Sequence, residues 1–469
     1  MTELPRQAER SWWLEEALAH PEFAGPEAPP LSGDTTADVV IVGGGYTGMW
    51  SAWFLTEAQP DLVVVLLEQD ICGGGPSGRN GGFLNGLYED GDVLVERYGE
   101  EGLRTVRLAA RSIDEIGDWC QANEVDAWYG MNGDLAISTS PAHDEDLVTY
   151  VEDVARLGIT GLITAASPEQ VRERFDSPVA RGGATVAHAA GVQPARLARG
   201  LRRRLIERGV RIFEGTPVTR FGVRTATAET PGGTVRAGHA ILGLNAWFSA
   251  FGELRRVVRA RGSYIVLSAP APERLEAINW TGGEGVYDLR TSLHYLRATS
   301  DGRIAFGGGK HRVAPRRIDG RYRYDERSVR ELVEDFRRWF PTFDGVPLEA
   351  AWGGPIDVGP MHHPFFGTLP GGVSHYGVGF TGGGVGPCHL GGRILAGLAL
   401  GVEDEFTSLP LARGVVKRFP PEPLLTAAER LISGAIVRRD DLRDAGRRVD
   451  PLTDALARLP RRAGYNLGP

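Results

Sequence analysis

Apolar residues along the chain fall into two alternating rhythms. Residues 39–42, Val-Val-Ile-Val, form a continuous β-branched run, as expected of a parallel strand buried on both faces. Residues 46–58 carry Trp50, Trp53, Phe54 and Leu55 at helical spacing and predict a helix ended by Gln59-Pro60-Asp61. A second apolar strand, 62–67, stops at Glu68. Residues 96–120 then predict a long core helix through Val106, Ala109, Ile113, Ile116 and Trp119.

The strand and helix rhythm breaks at a strand over 128–138, a helix over 142–156 and a short helix over 168–175 with Ser167 and Gln170 as a capping pair. It returns with a strand at 184–190, a helix to 208, and strands at 210–213 and 238–244. Arg202, Arg203, Arg204 and Arg208 read as the solvated face of that helix. Residues 259–343 are strand-rich, with runs at 264–268, 286–289, 293–298 and 303–307, a hairpin turn at Ser300-Asp301-Gly302, and a helix over 326–340. A last strand at 375–380 leads through Thr381-Gly382-Gly383-Gly384 into a helix over 387–400, and an amphipathic tail follows.

This order predicts α/β plus α+β architecture: a Rossmann-like dinucleotide-binding domain, an antiparallel-sheet substrate domain and a helical C-terminal extension. The expected boundaries are an N-terminal arm 1–37, a discontinuous binding domain 38–95, 166–250 and 351–404, a substrate domain 96–165 and 251–350, and an extension 405–469. The paired Trp12 and Trp13 predict an arm pinned onto the body.

Chemistry concentrates at the first turn. Gly43 permits the tight turn, Gly45 lets backbone amides approach a pyrophosphate, and Gly48 allows close packing of helix on strand. Tyr46 and Thr47 open the helix, and Glu68 stands where a carboxylate accepts from an adenosine ribose. The loop 71–82 is too glycine-dense for a regular element, and its Ser77, Arg79 and Asn80 offer donors beside exposed amides. The second strand, glycine loop and helix lacks a following acidic strand, so it reads as a helix N-terminus aimed at the same cofactor. Arg259, Arg261, Arg290, Arg297, Tyr264, Tyr287, His294 and Tyr295 are the polar residues that a sheet roofing a substrate cavity could aim inward. His362 and His363 are adjacent and lack acidic or cysteine partners nearby in the sequence, so no metal is expected.

Composition narrows the setting. The 469 residues are 42% hydrophobic and 24% charged, ordinary for a globular protein, with no run approaching the roughly 18 apolar residues of a membrane span. A net charge of −8 offers no general attraction to nucleic acid. Cys72, Cys120 and Cys388 are odd in number and far apart, which argues for a reduced, cytoplasmic setting. The only lysines are Lys310 and Lys417.

With these residues in view, the chain resembles the D-amino acid oxidase superfamily of FAD-dependent oxidoreductases, most like the γ-glutamylputrescine oxidoreductase group. The likeness rests on Ser11-Trp12-Trp13-Leu14, the Gly43 to Gly48 turn, Ser77-Gly78-Arg79-Asn80-Gly81-Gly82, Gly191-Val192-Gln193-Pro194, Thr216-Pro217-Val218, Asn245-Ala246, Asp301-Gly302-Arg303 and Phe380 to Val385. It implies a glutathione-reductase-like domain holding FAD. The adenosine would lie from Gly43 to Glu68 and Val218, the pyrophosphate near Gly75, Ser77 and Arg79, and the ring near Asn80, Gly81, Gly82, Gly383, Gly384 and Val385. Asn245, Trp247 and Gly354 complete that expected contact set.

The resemblance further implies hydride transfer from an amine carbon to flavin N5, with the imine hydrolysed in water. Tyr264, His294, Lys310, Trp352 and His362 are then catalytic candidates, and Arg259, Arg261, Tyr287 and Tyr295 substrate-binding candidates. The segment 352–357, where some relatives attach flavin to a cysteine, has none, so FAD is expected to be noncovalent. Lys310 is the only lysine placed to assist oxygen, so an oxidase and a dehydrogenase passing electrons to another acceptor both stay open. A flavin monooxygenase and a flavoprotein with structural FAD are the competing classes. The tail suggests docking on the protein's own body or on a second copy.

Overall fold

The strand Thr35–Val42 lies in the parallel core of an eight-stranded mixed sheet, paired with Val64–Leu67 on one side and Gly233–Leu242 on the other, while Arg220–Gly222, Thr227–Thr230 and Phe365–Thr368 join antiparallel. Arg211–Phe213 extends the sheet beyond Val64–Leu67, and Ser374–Val378 extends it beyond Gly233–Leu242, both in parallel. Its residues Val40, Ile41, Val65 and Leu66 are fully buried, which is why these strands read as unbroken apolar runs. The helices Tyr46–Ala58 and Val385–Leu400 pack against each other over this sheet. The computed structural model describes residues 4–159, 161–252, 254–308, 318–415 and 417–465.

A second sheet holds nine strands among the described residues. In spatial order they are Arg6–Gln7, Leu348–Val358, Arg259–Ser268, Ile304–Gly308, Tyr295–Ala298, Gly285–Asp288, Asp134–Ser138, Gly182–Val186 and Ile163–Ala166. It is mixed rather than antiparallel, because Arg6–Gln7 joins Leu348–Val358 in parallel and Gly285–Asp288 joins Asp134–Ser138 in parallel. Gly182–Val186 belongs here, between Asp134–Ser138 and Ile163–Ala166, and not to the parallel strands that the sequence rhythm suggests for 184–190. The expected long helix also divides, into Gly91–Tyr98 and Glu100–Ala122, because Gly99 sits at φ +58° and turns the chain.

Alternation along Arg259–Ser268 sorts the two faces of the second sheet. Tyr264 and Val266 pack with Phe306, Phe336 and Trp339 under the helix Glu326–Trp339. Arg259, Arg261 and Ser263 face the opposite side, toward a cavity roofed by the C-terminal helix Leu424–Asp444. Ion pairs from Arg290 to Asp441 and Asp444, and from Arg443 to Asp146, fasten that helix to the body.

The N-terminal arm is pinned as its tryptophans predict. Ser11 caps the helix Trp12–Leu18 and donates to the carbonyl of Gly78, while Trp13 packs edge-on against Trp128 and Trp352. Arg202 departs from the solvated face expected of it. It is buried, and with Arg199 it grips Glu214, whose carboxylate accepts from the Cys72 amide at 2.7 Å. These arginines thus tie a helix to the glycine loop. Among the described residues no helix is long and apolar enough to cross a membrane, and no group of three His, Cys, Asp or Glu is placed to hold a metal.

Candidate active site

A cavity of about 800 Å³ runs along the carboxyl ends of the parallel strands. At one end Glu68 accepts from the amides of Gly44 at 2.8 Å and Asp70 at 2.9 Å, and burial raises its pKa. Val218 walls the same end. In the middle the helix Tyr46–Ala58 points its N-terminus into the cavity, where the Tyr46 amide donates to Ser77 Oγ at 2.9 Å. Gly43, at φ +109°, and Gly48 make the turn possible. A Cβ on Gly48 would lie 2.1 Å from the Gly43 carbonyl, so helix and strand touch only because both are glycine. Gly45, Thr47 and Gly75 line the cavity, and Gly48 lies behind it.

Arg79 is the buried one of the three arginines, with Arg220 and Arg323, that line this cavity. It is 7% exposed and donates to carbonyls alone, those of Gly74 at 2.9 Å and of Gly353 and Glu9 at 3.3 Å. Burial lowers its pKa to about 10. A buried guanidinium with only carbonyl partners, beside a helix N-terminus, is matched to a phosphate-bearing ligand. A second helix N-terminus, at Gly384 and Val385, faces the same space. The residues present therefore fit an adenine dinucleotide, whose pyrophosphate Ser77, Arg79 and the helix N-terminus at Tyr46 would hold.

Asn80 lines this cavity but spends its side chain on the loop itself. Its Nδ2 donates to the Pro76 and Ser77 carbonyls at 3.1 Å, and its Oδ1 accepts from the Gly82 amide at 2.7 Å. Gly82 lies outside the cavity, packed against the Val192 carbonyl and Arg297. Asn245 and Trp247 line the far wall. Asn245, at φ +45°, donates to Asp357, which also accepts from the Gly379 amide at 2.7 Å. Burial raises the pKa of Asp357 to about 7. Asp357 fastens the strand Leu348–Val358 to the loop before the second helix, a role that its Gly-Pro-Ile-Asp setting does not advertise.

The cavity shares Arg79, Asn80, Ile356, Phe380 and Val385 with a second one of about 480 Å³. Gly81, Gly354 and Gly383 border this second space, as do Tyr287, Tyr295 and His362. Tyr295 bonds Ser263 at 2.9 Å, and Tyr287 bonds Tyr150 at 2.9 Å. His362, held at φ +67°, pairs with Asp90 at 2.9 Å. Burial lowers its pKa, but the Asp90 carboxylate outweighs this and the net shift is upward. Glu89 was missed in the sequence. It borders this cavity with an exposed side chain, and the protein packed around it raises its pKa by desolvation while His362 pulls it back. The signal was there in the acidic pair Glu89-Asp90 following the apolar Leu87-Tyr88.

Three catalytic candidates reach neither cavity. Tyr264 lies on the opposite face of its strand and donates to the Arg321 carbonyl at 2.8 Å. His294 is buried between Asp288 at 2.7 Å and Asp335 at 3.2 Å. Burial lowers its pKa, but the two carboxylates override this and raise it to about 9. Trp352 is fully buried and donates to the Arg79 carbonyl. Lys310 lies outside the described residues. Arg259 and Arg261 do border the second cavity, but both are engaged by Glu429 of the C-terminal helix.

Strand order, glycine turn, buried arginine and twin helix N-termini define a dinucleotide-dependent oxidoreductase of the α/β class. Residues 38–398 match the family described as FAD dependent oxidoreductase (DAO), and the chain belongs to that family. It is 30% identical over 396 residues to gamma-glutamylputrescine oxidoreductase of Escherichia coli (strain K12), covering 81% of this chain and 88% of that one. It is 24% identical over 359 residues to sarcosine oxidase subunit beta of Arthrobacter sp, covering 72% and 80%. Its fold is similar to that of glycine oxidase from Geobacillus kaustophilus, with a TM-score of 0.66 at 19% identity, covering 81% of this chain and 99% of that one.

Proposed function

We propose that the protein oxidises a small amine at the carbon bearing nitrogen, using noncovalently held FAD. The observation that carries this reading is the continuity of the two cavities across Asn80, Ile356, Phe380 and Val385, with the carboxylate of Glu89 bordering the second. The names of the relatives, gamma-glutamylputrescine oxidoreductase and sarcosine oxidase, support it. Bound FAD supplies a two-electron acceptor for hydride from the amine carbon. The chain's own part is to place and strip the amine. Glu89 pairs with the ammonium on entry, and its raised pKa suits it to take the proton that frees the nitrogen lone pair. The C-terminal helix lines the same cavity and supplies its apolar wall.

In this reading residues 38–95, most of 187–250 and 351–404 form a glutathione-reductase-like FAD domain. Residues 96–186 and 251–350 form the substrate domain, and 405–469 an extension that completes the roof. The three free, buried cysteines fit a reducing compartment such as the cytoplasm. Anaerobic mixing with a panel of amines tests the proposal. Bleaching of the visible flavin band by an amine supports it, with Glu89→Gln slowing the bleaching at least about tenfold. Bleaching by NADPH alone points to a monooxygenase instead.

A further inference from the structure

The residues that would recognise a substrate carboxylate are already occupied. Glu429 receives Arg259 Nε at 2.9 Å and Arg259 Nη2 at 2.5 Å, and Arg261 Nη2 at 3.5 Å. Glu422 receives Arg259 Nη1 at 3.3 Å, and Arg261 Nη1 meets Ser433 Oγ at 3.4 Å. Two arginines therefore share two glutamates of the C-terminal segment, with Arg259 gripped by both and Arg261 reaching Glu429 at 3.5 Å. That segment lies beyond residue 398, where the family match ends. Arg259 is 9% exposed and Glu429 8%, so the pair is buried rather than a loose surface contact. In such a place a second carboxylate meets the like charge of Glu429 and finds the Arg259 fork already filled.

The remaining lining has the opposite preference. The helix Leu424–Asp444 presents Leu425, Ile432, Ile436 and Val437 to the cavity, and Phe83 and Leu87 face it from the body. Among the described residues the carboxylate bordering this space without a salt-bridge partner within 4 Å is Glu89. An ammonium is attracted to that end, and an apolar chain is accommodated against the helix.

We infer that the substrate is an amine with an apolar body and no carboxylate beside its nitrogen, and that Glu429 sets this choice by occupying the Arg259 and Arg261 pair. This inference rests on the amine oxidation proposed above. Glu429 acts through the arginines, as a specificity-determining residue and not as a catalytic one.

The test compares amines with the amino acids that differ from them only by a carboxylate. The FAD-loaded protein is mixed anaerobically with 2-phenylethylamine and with D- and L-phenylalanine, then with n-pentylamine and with D- and L-norleucine, and flavin bleaching is followed. The expected result is bleaching at least tenfold faster by the amines. Amino acids bleaching the flavin as fast or faster overturn the inference and leave amine oxidation standing. Bleaching by neither set removes the proposed function and this inference with it. A binding readout accompanies the kinetics: calorimetric titration with benzoate. Glu429→Gln is expected to bind benzoate at least tenfold more tightly than the unsubstituted protein, and equal binding by the two overturns the role given to Glu429.

Discussion

The indole N–H of Trp352 donates to the backbone carbonyl of Arg79 across 2.9 Å, joining residues 273 positions apart in the chain. Through this bond the second sheet holds the glycine loop that faces the cofactor cavity. Trp352 also packs edge-on against Trp13 of the N-terminal arm, so three distant segments meet behind Arg79. Trp352→Phe leaves a buried carbonyl unpaired, at a cost of about 1–2 kcal/mol. The expected outcome is FAD affinity weakened roughly tenfold, read by titrating FAD into apoprotein, with turnover of the saturated enzyme little changed. Intact affinity with lost turnover contradicts this and returns Trp352 to the reacting centre.

The first turn separates two glycines by what lies beside them. A Cβ on Gly45 would come 3.1 Å from Ser77 Oγ, a side chain able to rotate, whereas one on Gly48 meets backbone at 2.1 Å. Gly45→Val is therefore expected to yield folded, colourless protein. Gly48→Val is expected to lose about 3 kcal/mol or more of stability. The flavin-to-protein ratio and thermal unfolding of both variants check this, and a yellow Gly45→Val refutes the assigned cradle.

His294 makes stability depend on pH. Its pKa rises from 6.5 to about 9 in the folded protein, so the imidazolium and its two aspartates stabilise fully below pH 6.5. That contribution drains away as pH climbs through 9, by about 3 kcal/mol in all. Thermal melts across this window are expected to fall more steeply for the unsubstituted protein than for His294→Gln. Parallel pH profiles dispose of the charged triad.

Flavin attachment is a further distinguishing feature. Cys388 borders the cofactor cavity, but burial pushes its thiol up to about 12 and its partner is the Thr47 hydroxyl at 3.2 Å. A thiol kept protonated is a poor nucleophile. Acid precipitation is expected to release all the flavin into the supernatant, and a yellow pellet shows a covalent bond.

The cofactor end was readable because its chemistry is local. The helix Tyr46–Ala58 begins and ends where the glycine turn and Gln59-Pro60 place it, since the turn opens it at Gly45 and the proline that follows stops it. The substrate end needed strand parity. Arg259, Arg261 and Ser263 share a face, and Tyr264 lies on the other by the period of two. The same alternation turns His294 away from the cavity that Tyr295 borders. No local pattern says where an amphipathic helix docks, so Glu429 on Arg259 was invisible until the chain was folded. Contacts between residues 170 positions apart are set by packing, not by spacing.

A single anaerobic turnover tests the central claim most directly. Mixing the FAD-loaded protein with one equivalent of 2-phenylethylamine is predicted to reduce the flavin and release one carbonyl product and one ammonia per flavin. Deuterium at the amine carbon is predicted to slow the reduction. A flavin that stays oxidised with every amine offered, yet is reduced promptly by NADPH, contradicts the account.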